Sequence, residues 1–121
     1  MPFDPYVPDD DRARQHTYDV HVLRTALSNV RRPWAWCRGM INGPGDSHCA
    51  VGWVMHVADY YGVAWKRIVR EHVVPVLPRR DRWRFFDEPE QRVYRYNDFH
   101  DQADIVALFE RAVRRLERVS H

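Results

Sequence analysis

Residues 49–58, CAVGWVMHVA, form an almost uninterrupted apolar stretch, and this stretch decides the fold. Among residues 49–57 only His56 is strongly polar, and a helix that is apolar on nearly every side is typical of a buried position. We predict a central helix from residues 47–49 to about Tyr61, with Gly62 as its C-terminal cap. Gly52 inside this helix costs about 1 kcal/mol relative to alanine, which indicates close approach of another backbone or a large ring.

Three further helices are predicted around this central one. Residues 10–31 carry an apolar stripe and end before Pro33, residues 63–74 end before Pro75, and residues 102–119 carry the clearest stripe of all. The stripe residues expected to be buried are Val20, Leu23, Ala26, Leu27 and Val30 in the first helix, Ile68, Val69, His72 and Val73 in the third, and Ile105, Leu108, Phe109, Ala112 and Leu116 in the last.

Two segments have the composition of strands. Residues 34–41 alternate weakly and lead into the turn sequence NGPGD at residues 42–46, and residues 92–96, RVYRY, alternate more clearly. We expect them to pair. The predicted fold is therefore mainly α with a small β element (α+β), in which about four helices surround a central buried helix beside a short two- or three-stranded sheet.

The length and charge of the chain limit the classes it fits. Its 121 residues suit one globular domain over residues 1–121, with residues 1–9 as a proline-rich extended arm. The formal charge of +2 gives no strong indication of nucleic acid or of a membrane surface. Since we find no signal-peptide pattern and no apolar run of membrane length, we expect a cytoplasmic protein. Cys37 and Cys49 are then expected to be thiols, with a disulfide between them as the alternative.

Cys49 is the sharpest candidate for catalysis, because it follows a glycine-bearing loop and opens a helix. A helix N-terminus favours the thiolate, and cysteine peptidases place their nucleophile in this way. His100 or His72 would supply the base, and Asn97 or Asp98 would orient it. The alternative is a small buried residue on an apolar helix, which we favour, so no catalytic residue is assigned and Cys49, His100 and Asp98 stay weak candidates.

Metal binding and acid–base chemistry have weaker support. Cys37, His48, Cys49 and His56 are close in sequence, but their spacing matches no common zinc pattern, so neither a metal nor a cofactor is expected. Asp98, Asp101 and Asp104 lie at helical spacing and suit the start of the last helix. We expect Asn97 and Asp98 to cap that helix, with binding of a cation or polar ligand as the alternative.

An aromatic and arginine-rich stretch gives the candidate binding site. Interfaces between proteins are enriched in arginine and aromatic residues, and arginine beside an aromatic ring also suits nucleic acid. Lys66 is the only lysine in the chain, and this bias fits either a GC-rich genome or selection for planar, bidentate contacts. The stretch consists of Arg79, Arg80, Arg82, Trp83, Arg84, Phe85 and Phe86, and the last helix adds a basic strip of Arg111, Arg114, Arg115 and Arg118.

The order of these motifs resembles an uncharacterised family of small bacterial and phage proteins. In that family a tryptophan–glycine segment precedes a Cys-Ala-x-Gly helix, and a Trp-Asn-Asp sequence precedes a C-terminal amphipathic helix. The resemblance covers about residues 18–115, with Trp53 in place of a small residue and Tyr96 in place of tryptophan. It implies a helical fold but no known activity. The matching positions are Gly39, Cys49, Ala50, Gly52, Asn97 and Asp98.

We therefore expect a small non-enzymatic cytoplasmic protein that acts by binding another protein. Chains of this size and composition are common as accessory or anti-defence factors of phages and mobile elements. One alternative is a cysteine-dependent hydrolase that uses Cys49. The other is a nucleic-acid-binding protein that uses the arginine clusters. A membrane partner is not expected.

Overall fold

The chain is mainly helical in the computed structural model, which describes residues 7–82 and 88–118. The short helix Trp65–Ile68, numbered α3, continues through a π turn (Val69–Val73) and a 3-10 turn (Val74–Val76), and we call residues 65–76 the α3 segment. Within the described residues no helix is both long and apolar enough to cross a bilayer. The helices are α1 (Val7–Val30), α2 (Ala50–Tyr61), α3 (Trp65–Ile68), α4 (Arg79–Arg82), α5 (Pro89–Phe99) and α6 (Gln102–Arg118).

Helices α1 and α6 pack side by side in opposite directions, since Arg24 pairs with Glu117 and Arg31 pairs with Glu110. Their predicted apolar stripes form much of the core. Every predicted stripe residue of α6 is buried, and in α1 only Val20 is half-buried. The helical periodicity of both segments therefore predicted their inner faces correctly.

Helix α2 lies against α1, α3 and α5 and buries most of its surface. It is capped by Cys49 at its start and by Gly62 at its end, where Gly62 has φ +70 and donates its N–H to the carbonyl of Asp59. Gly52 has the predicted role, because a Cβ there would collide with the carbonyl oxygen of Ile41. A loop backbone thus approaches α2 at the one position where a side chain is missing.

The predicted sheet is wrong: the described residues contain no strand, only isolated single-residue bridges from His48 to Trp36 and to Asn42. Gly39 has φ +79, which turns the chain away from an extended course after Trp36. Residues 34–49 instead form a loop held by scattered backbone hydrogen bonds, such as that from Cys49 N to Ile41 O at 3.2 Å.

Residues 92–96, predicted as a strand, belong to helix α5. Pro89 occupies the first turn of this helix, where its missing N–H costs nothing. Glu90, Val93 and Asn97 are buried at spacings of three and four, so the helical period becomes visible only over the longer segment. The short alternation of RVYRY concealed it.

Three smaller corrections concern the start of α1 and two helices that were not predicted. Val7–Asp9, assigned to an extended arm, form the first turn of α1, and residues 1–6 lie outside the described residues. The link after Pro78, expected to be irregular, contains α4. The prediction of about four helices missed α4 and α5, which are short or begin at a proline.

Candidate functional site

A groove lined by arginines lies between the end of the α3 segment, α4 and the second half of α6. Its cavity volume is about 600 Å³, a size typical of ligand sites. Pro75, Val76 and Leu77 form its apolar part. We call this cavity the arginine groove; its basic residues are Arg82, Arg111, Arg114, Arg115 and Arg118.

Three of these arginines are fixed by the backbone of the α3 segment. Arg82 donates to the carbonyl of Pro75 at 3.1 Å, Arg111 donates to that of Val76 at 3.1 Å, and Arg115 donates to that of Glu71 at 3.2 Å. These carbonyls lie near the end of a helical run, where backbone dipoles attract cations. The fold thereby holds three positive charges beside one another.

The arginine groove holds no balancing carboxylate among its described lining residues. The acids of the same stretch of α6, Glu110 and Glu117, pair with α1 instead. Arg114 and Arg118 are exposed, and within residues 7–82 and 88–118 no carboxylate lies at ion-pair distance from either. Helix α6 is therefore divided lengthwise into a neutralised face and a cationic face.

The structure brings together two basic stretches that the sequence separates. Arg82, from the predicted binding stretch, lies in the same groove as the basic strip of α6. Arg79 and Arg80 are exposed in the same short helix, α4, as Arg82. The remaining predicted binding residues, Trp83, Arg84, Phe85 and Phe86, lie outside the described residues.

Cys49 is buried and acts as the N-cap of α2, where its sulfur accepts a hydrogen bond from Gly52 N at 3.3 Å. Burial raises the pKa of the Cys49 thiol above its ordinary value. The two predicted bases have other partners: His100 contacts Asp104 at 3.1 Å, and His72 contacts Asp19 at 2.8 Å. The arrangement suits a structural cysteine better than a nucleophile.

Asn97 is fully buried and joins three parts of the chain. Its Oδ1 accepts hydrogen bonds from Trp36 Nε1 at 2.6 Å and from Ala50 N at 2.9 Å, and its Nδ2 donates to Cys37 O at 3.1 Å. We call this set of contacts the Asn97 anchor. Beside it Asp98 Oδ1 accepts from Gly39 N at 2.8 Å. These contacts tie the loop to α2 and α5.

The prediction that Asn97 and Asp98 cap the last helix is wrong. Asp101 caps α6, because its Oδ1 accepts from Asp104 N at 3.0 Å while Asp104 Oδ2 accepts from Asp101 N at 3.4 Å. Such a reciprocal pair is a capping box. Asn97 and Asp98 lie in α5, four and three residues earlier, and bind the loop instead.

The cysteines and histidines near the loop do not gather into a ligand set. Cys37 and Cys49 are both free thiols, and Cys37 donates to Met40 O at 3.4 Å. His48 contacts Asn42 Oδ1 at 2.7 Å and stacks on His56 with ring centroids 5.1 Å apart. Among the residues that the structure describes, no group of three or more histidine, cysteine or acidic side chains is arranged to hold a metal ion.

A buried ion cluster around Asp19 was missed by sequence reasoning. Arg67 holds both carboxylate oxygens of Asp19, at 2.7 and 2.9 Å, and His72 contacts the same group. Burial alone would raise the pKa of Asp19, but the hydrogen bonds from Arg67 and His72 outweigh burial and hold it below 3.8. The sequence does place one acid, Asp19, next to the apolar stripe of α1. Periodicity alone does not indicate that this acid pairs with Arg67 of α3.

Comparison with known proteins identifies no relative: no protein-family model, no curated protein and no solved structure matches this chain.

Proposed function

We propose that this cytoplasmic protein acts by binding another protein and that the arginine groove receives an acidic segment of that partner. The observation that carries the proposal is the group of guanidiniums that share one cavity without a carboxylate among the described lining residues. Arginine is the side chain best suited to bidentate contacts with carboxylates at interfaces. Chains of this size and composition are common as accessory or anti-defence factors of phages and mobile elements, and we propose such a role for this protein.

The composition of the groove favours an acidic protein segment over nucleic acid. Non-specific binding of single strands uses aromatic rings on which bases stack, together with a basic path for the backbone. The described lining has three apolar aliphatic residues and no aromatic ring. Such a lining suits a peptide whose acidic side chains alternate with apolar ones.

The hydrolase alternative has less support. A cysteine nucleophile requires a thiolate. Burial raises the pKa of the Cys49 thiol, and its sulfur serves as the N-cap of α2. Asn97, the candidate for orienting the base, already binds the loop and α2 through both ends of its amide. The two predicted bases, His72 and His100, likewise contact Asp19 and Asp104.

The direct test is fluorescence anisotropy with a short fluorescein-labelled peptide of alternating glutamate and alanine. Titration of the wild-type protein is expected to show saturable binding that weakens as salt is added, because exposed charge pairs are screened. The double substitution Arg114→Gln/Arg118→Gln is expected to raise the Kd about tenfold or more, since two charge-assisted contacts are removed. Both residues are exposed, so the fold is retained.

A matched control separates the groove from net charge. The double substitution Arg14→Gln/Arg32→Gln removes the same charge from exposed positions outside the groove and is expected to leave the Kd within about twofold. Equal loss of binding in both variants would contradict a defined site. Tighter binding of a single-stranded oligonucleotide than of the peptide would replace the protein partner with nucleic acid.

A further inference from the structure

We infer that the arginine groove recognises a phosphomonoester on a side chain of the partner's acidic segment. This inference rests on the proposed function and specifies its ligand. A phosphorylated side chain carries a charge of about −1.5 to −2 near neutral pH and presents three acceptor oxygens on one atom. It concentrates negative charge in the way that the groove concentrates positive charge.

The first argument comes from how this protein neutralises two arginines outside the groove, Arg67 and Arg70. Arg67 is satisfied by Asp19 with help from Glu71, and Arg70 is satisfied by Glu90 with help from Glu88. Each of these two guanidiniums therefore contacts two carboxylates. The groove collects five guanidiniums and no carboxylate among its described lining residues. A single glutamate of a partner carries one negative charge and would leave most of that positive charge unbalanced. A phosphate dianion carries two negative charges in one group and balances twice as much positive charge.

The second argument is pre-organisation. Arg82, Arg111 and Arg115 each donate a hydrogen bond to a backbone carbonyl, which restricts their rotamers before a ligand arrives. A guanidinium has five N–H donors, so a single carbonyl contact leaves most of them for a ligand. Restricting long side chains in advance lowers the entropy cost of binding. The groove thus holds three arginine side chains in place, and the exposed Arg114 and Arg118 complete the contacts with the anion.

The third argument is the shape of the site. The arginines come from α4 and from successive turns of α6, and they meet over a cavity of about 600 Å³ rather than along an extended stripe. A concave site of this size suits one compact group with its neighbouring residues. Pro75, Val76 and Leu77 then provide an apolar surface for the residues beside the phosphorylated one.

The test compares three fluorescein-labelled peptides that are identical except at one central position, which holds serine, glutamate or phosphoserine. Anisotropy titrations at physiological salt are expected to give a Kd for the phosphoserine peptide that is at least about tenfold lower than for the glutamate peptide. Arg114→Gln/Arg118→Gln is expected to abolish this preference, while Arg14→Gln/Arg32→Gln keeps it.

A pH titration sharpens the result. The second ionisation of a phosphomonoester has a pKa of about 6, so binding of the phosphoserine peptide is expected to weaken as the pH falls through that value. The glutamate peptide stays charged over the same range. The basic lining consists of arginines, which remain protonated, and the described lining contains no histidine or acid that would titrate there.

The outcomes distinguish this inference from the function on which it rests. Equal affinity for the glutamate and phosphoserine peptides overturns the phosphate inference and leaves the acidic partner in place. Binding of neither peptide contradicts both. Inorganic pyrophosphate added as a competitor tests the source of the phosphate: if it binds more tightly than the phosphoserine peptide, the site takes a small phosphorylated molecule and the inference of a phosphorylated partner is wrong.

Discussion

The Asn97 anchor and the arginine groove are both built from polar side chains, yet their surroundings are opposite. At the anchor, Asn97 is buried and both ends of its amide have partners within the chain. In the groove, Arg114 and Arg118 are exposed and have no carboxylate partner among the described residues. The first region holds the loop, α2 and α5 together, whereas the second keeps its charges on the surface.

The comparison indicates how to separate structural from functional polar groups. A buried polar group whose hydrogen bonds are all made inside the chain contributes to stability, because any substitution leaves its partners unpaired. An exposed group of like charges without partners contributes little to stability and keeps its donors for a ligand. The two regions should therefore respond to substitution in opposite ways.

The largest loss of stability is expected for Asn97→Ala. The substitution leaves Trp36 Nε1, Ala50 N and Cys37 O without their partner, and we expect the free energy of unfolding to fall by about 3–4 kcal/mol. Urea denaturation followed by circular dichroism measures it. Asn42→Ala, which removes an exposed asparagine bound to His48, is the control and should cost less than about 1 kcal/mol. Equal losses would remove the distinction between the two asparagines.

Asp19→Asn is expected to cost about 3 kcal/mol at neutral pH, because it breaks a buried ion pair and leaves Arg67 without its carboxylate. The pKa of Asp19 is held below 3.8 in the fold, so its contribution is present above that value and is lost as the pH falls through the lower folded value. The stability difference between wild type and variant should therefore shrink in acid. A difference that is constant from neutral pH down to acid denaturation would show that the charge of Asp19 does not stabilise the fold.

Cys49→Ala is expected to cost about 1 kcal/mol through loss of the α2 cap, whereas Cys49→Ser keeps an acceptor for Gly52 N and costs less. Because burial raises the pKa of the Cys49 thiol, we also expect iodoacetamide to modify Cys49 slowly in the folded protein and rapidly in urea. Mass spectrometry of the alkylated peptides measures both rates. Fast modification of Cys49 in the native state would restore the nucleophile hypothesis.

The smallest change of stability is expected for Arg114→Gln/Arg118→Gln. Neither side chain has an ion-pair partner among the described residues, so the free energy of unfolding should change by less than about 0.5 kcal/mol. Removing like charges from neighbouring positions offsets any loss of contact. Thermal melting and urea denaturation measure it. A loss of more than about 2 kcal/mol would place these arginines with Asn97, among the groups that hold the fold.

Helical periodicity predicted three of the helical segments and their buried faces, because each has a stripe long enough to show its period. It failed at α5, where the short segment RVYRY has the composition of a strand while the helical spacing runs from Glu90 to Asn97. It also failed at residues 34–41, whose course depends on Gly39 and on contacts with the distant Asn97. Local composition does not encode such contacts.

The candidate site was predictable only in its parts. The arginines of α4 and α6 were recognised as two basic stretches, but their meeting depends on the end of the α3 segment, whose carbonyls bind Arg82 and Arg111. The local sequence does not show that Glu110 and Glu117 pair with α1 while the neighbouring Arg114 and Arg118 do not. The numbers of basic and acidic residues in the chain are nearly equal, but the fold gathers arginines in the groove and places Glu110 and Glu117 against α1.

The most direct test of the groove is an NMR titration of the isotope-labelled protein with the peptide of alternating glutamate and alanine. We predict that the largest chemical-shift changes occur at the backbone of residues 75–77 and 111–118 and at the Nε–Hε signals of Arg82 and Arg111. The Asn97 anchor should remain unchanged. Changes centred on another surface, such as exposed Trp34 and Tyr60, would contradict the assignment of the binding site to the arginine groove.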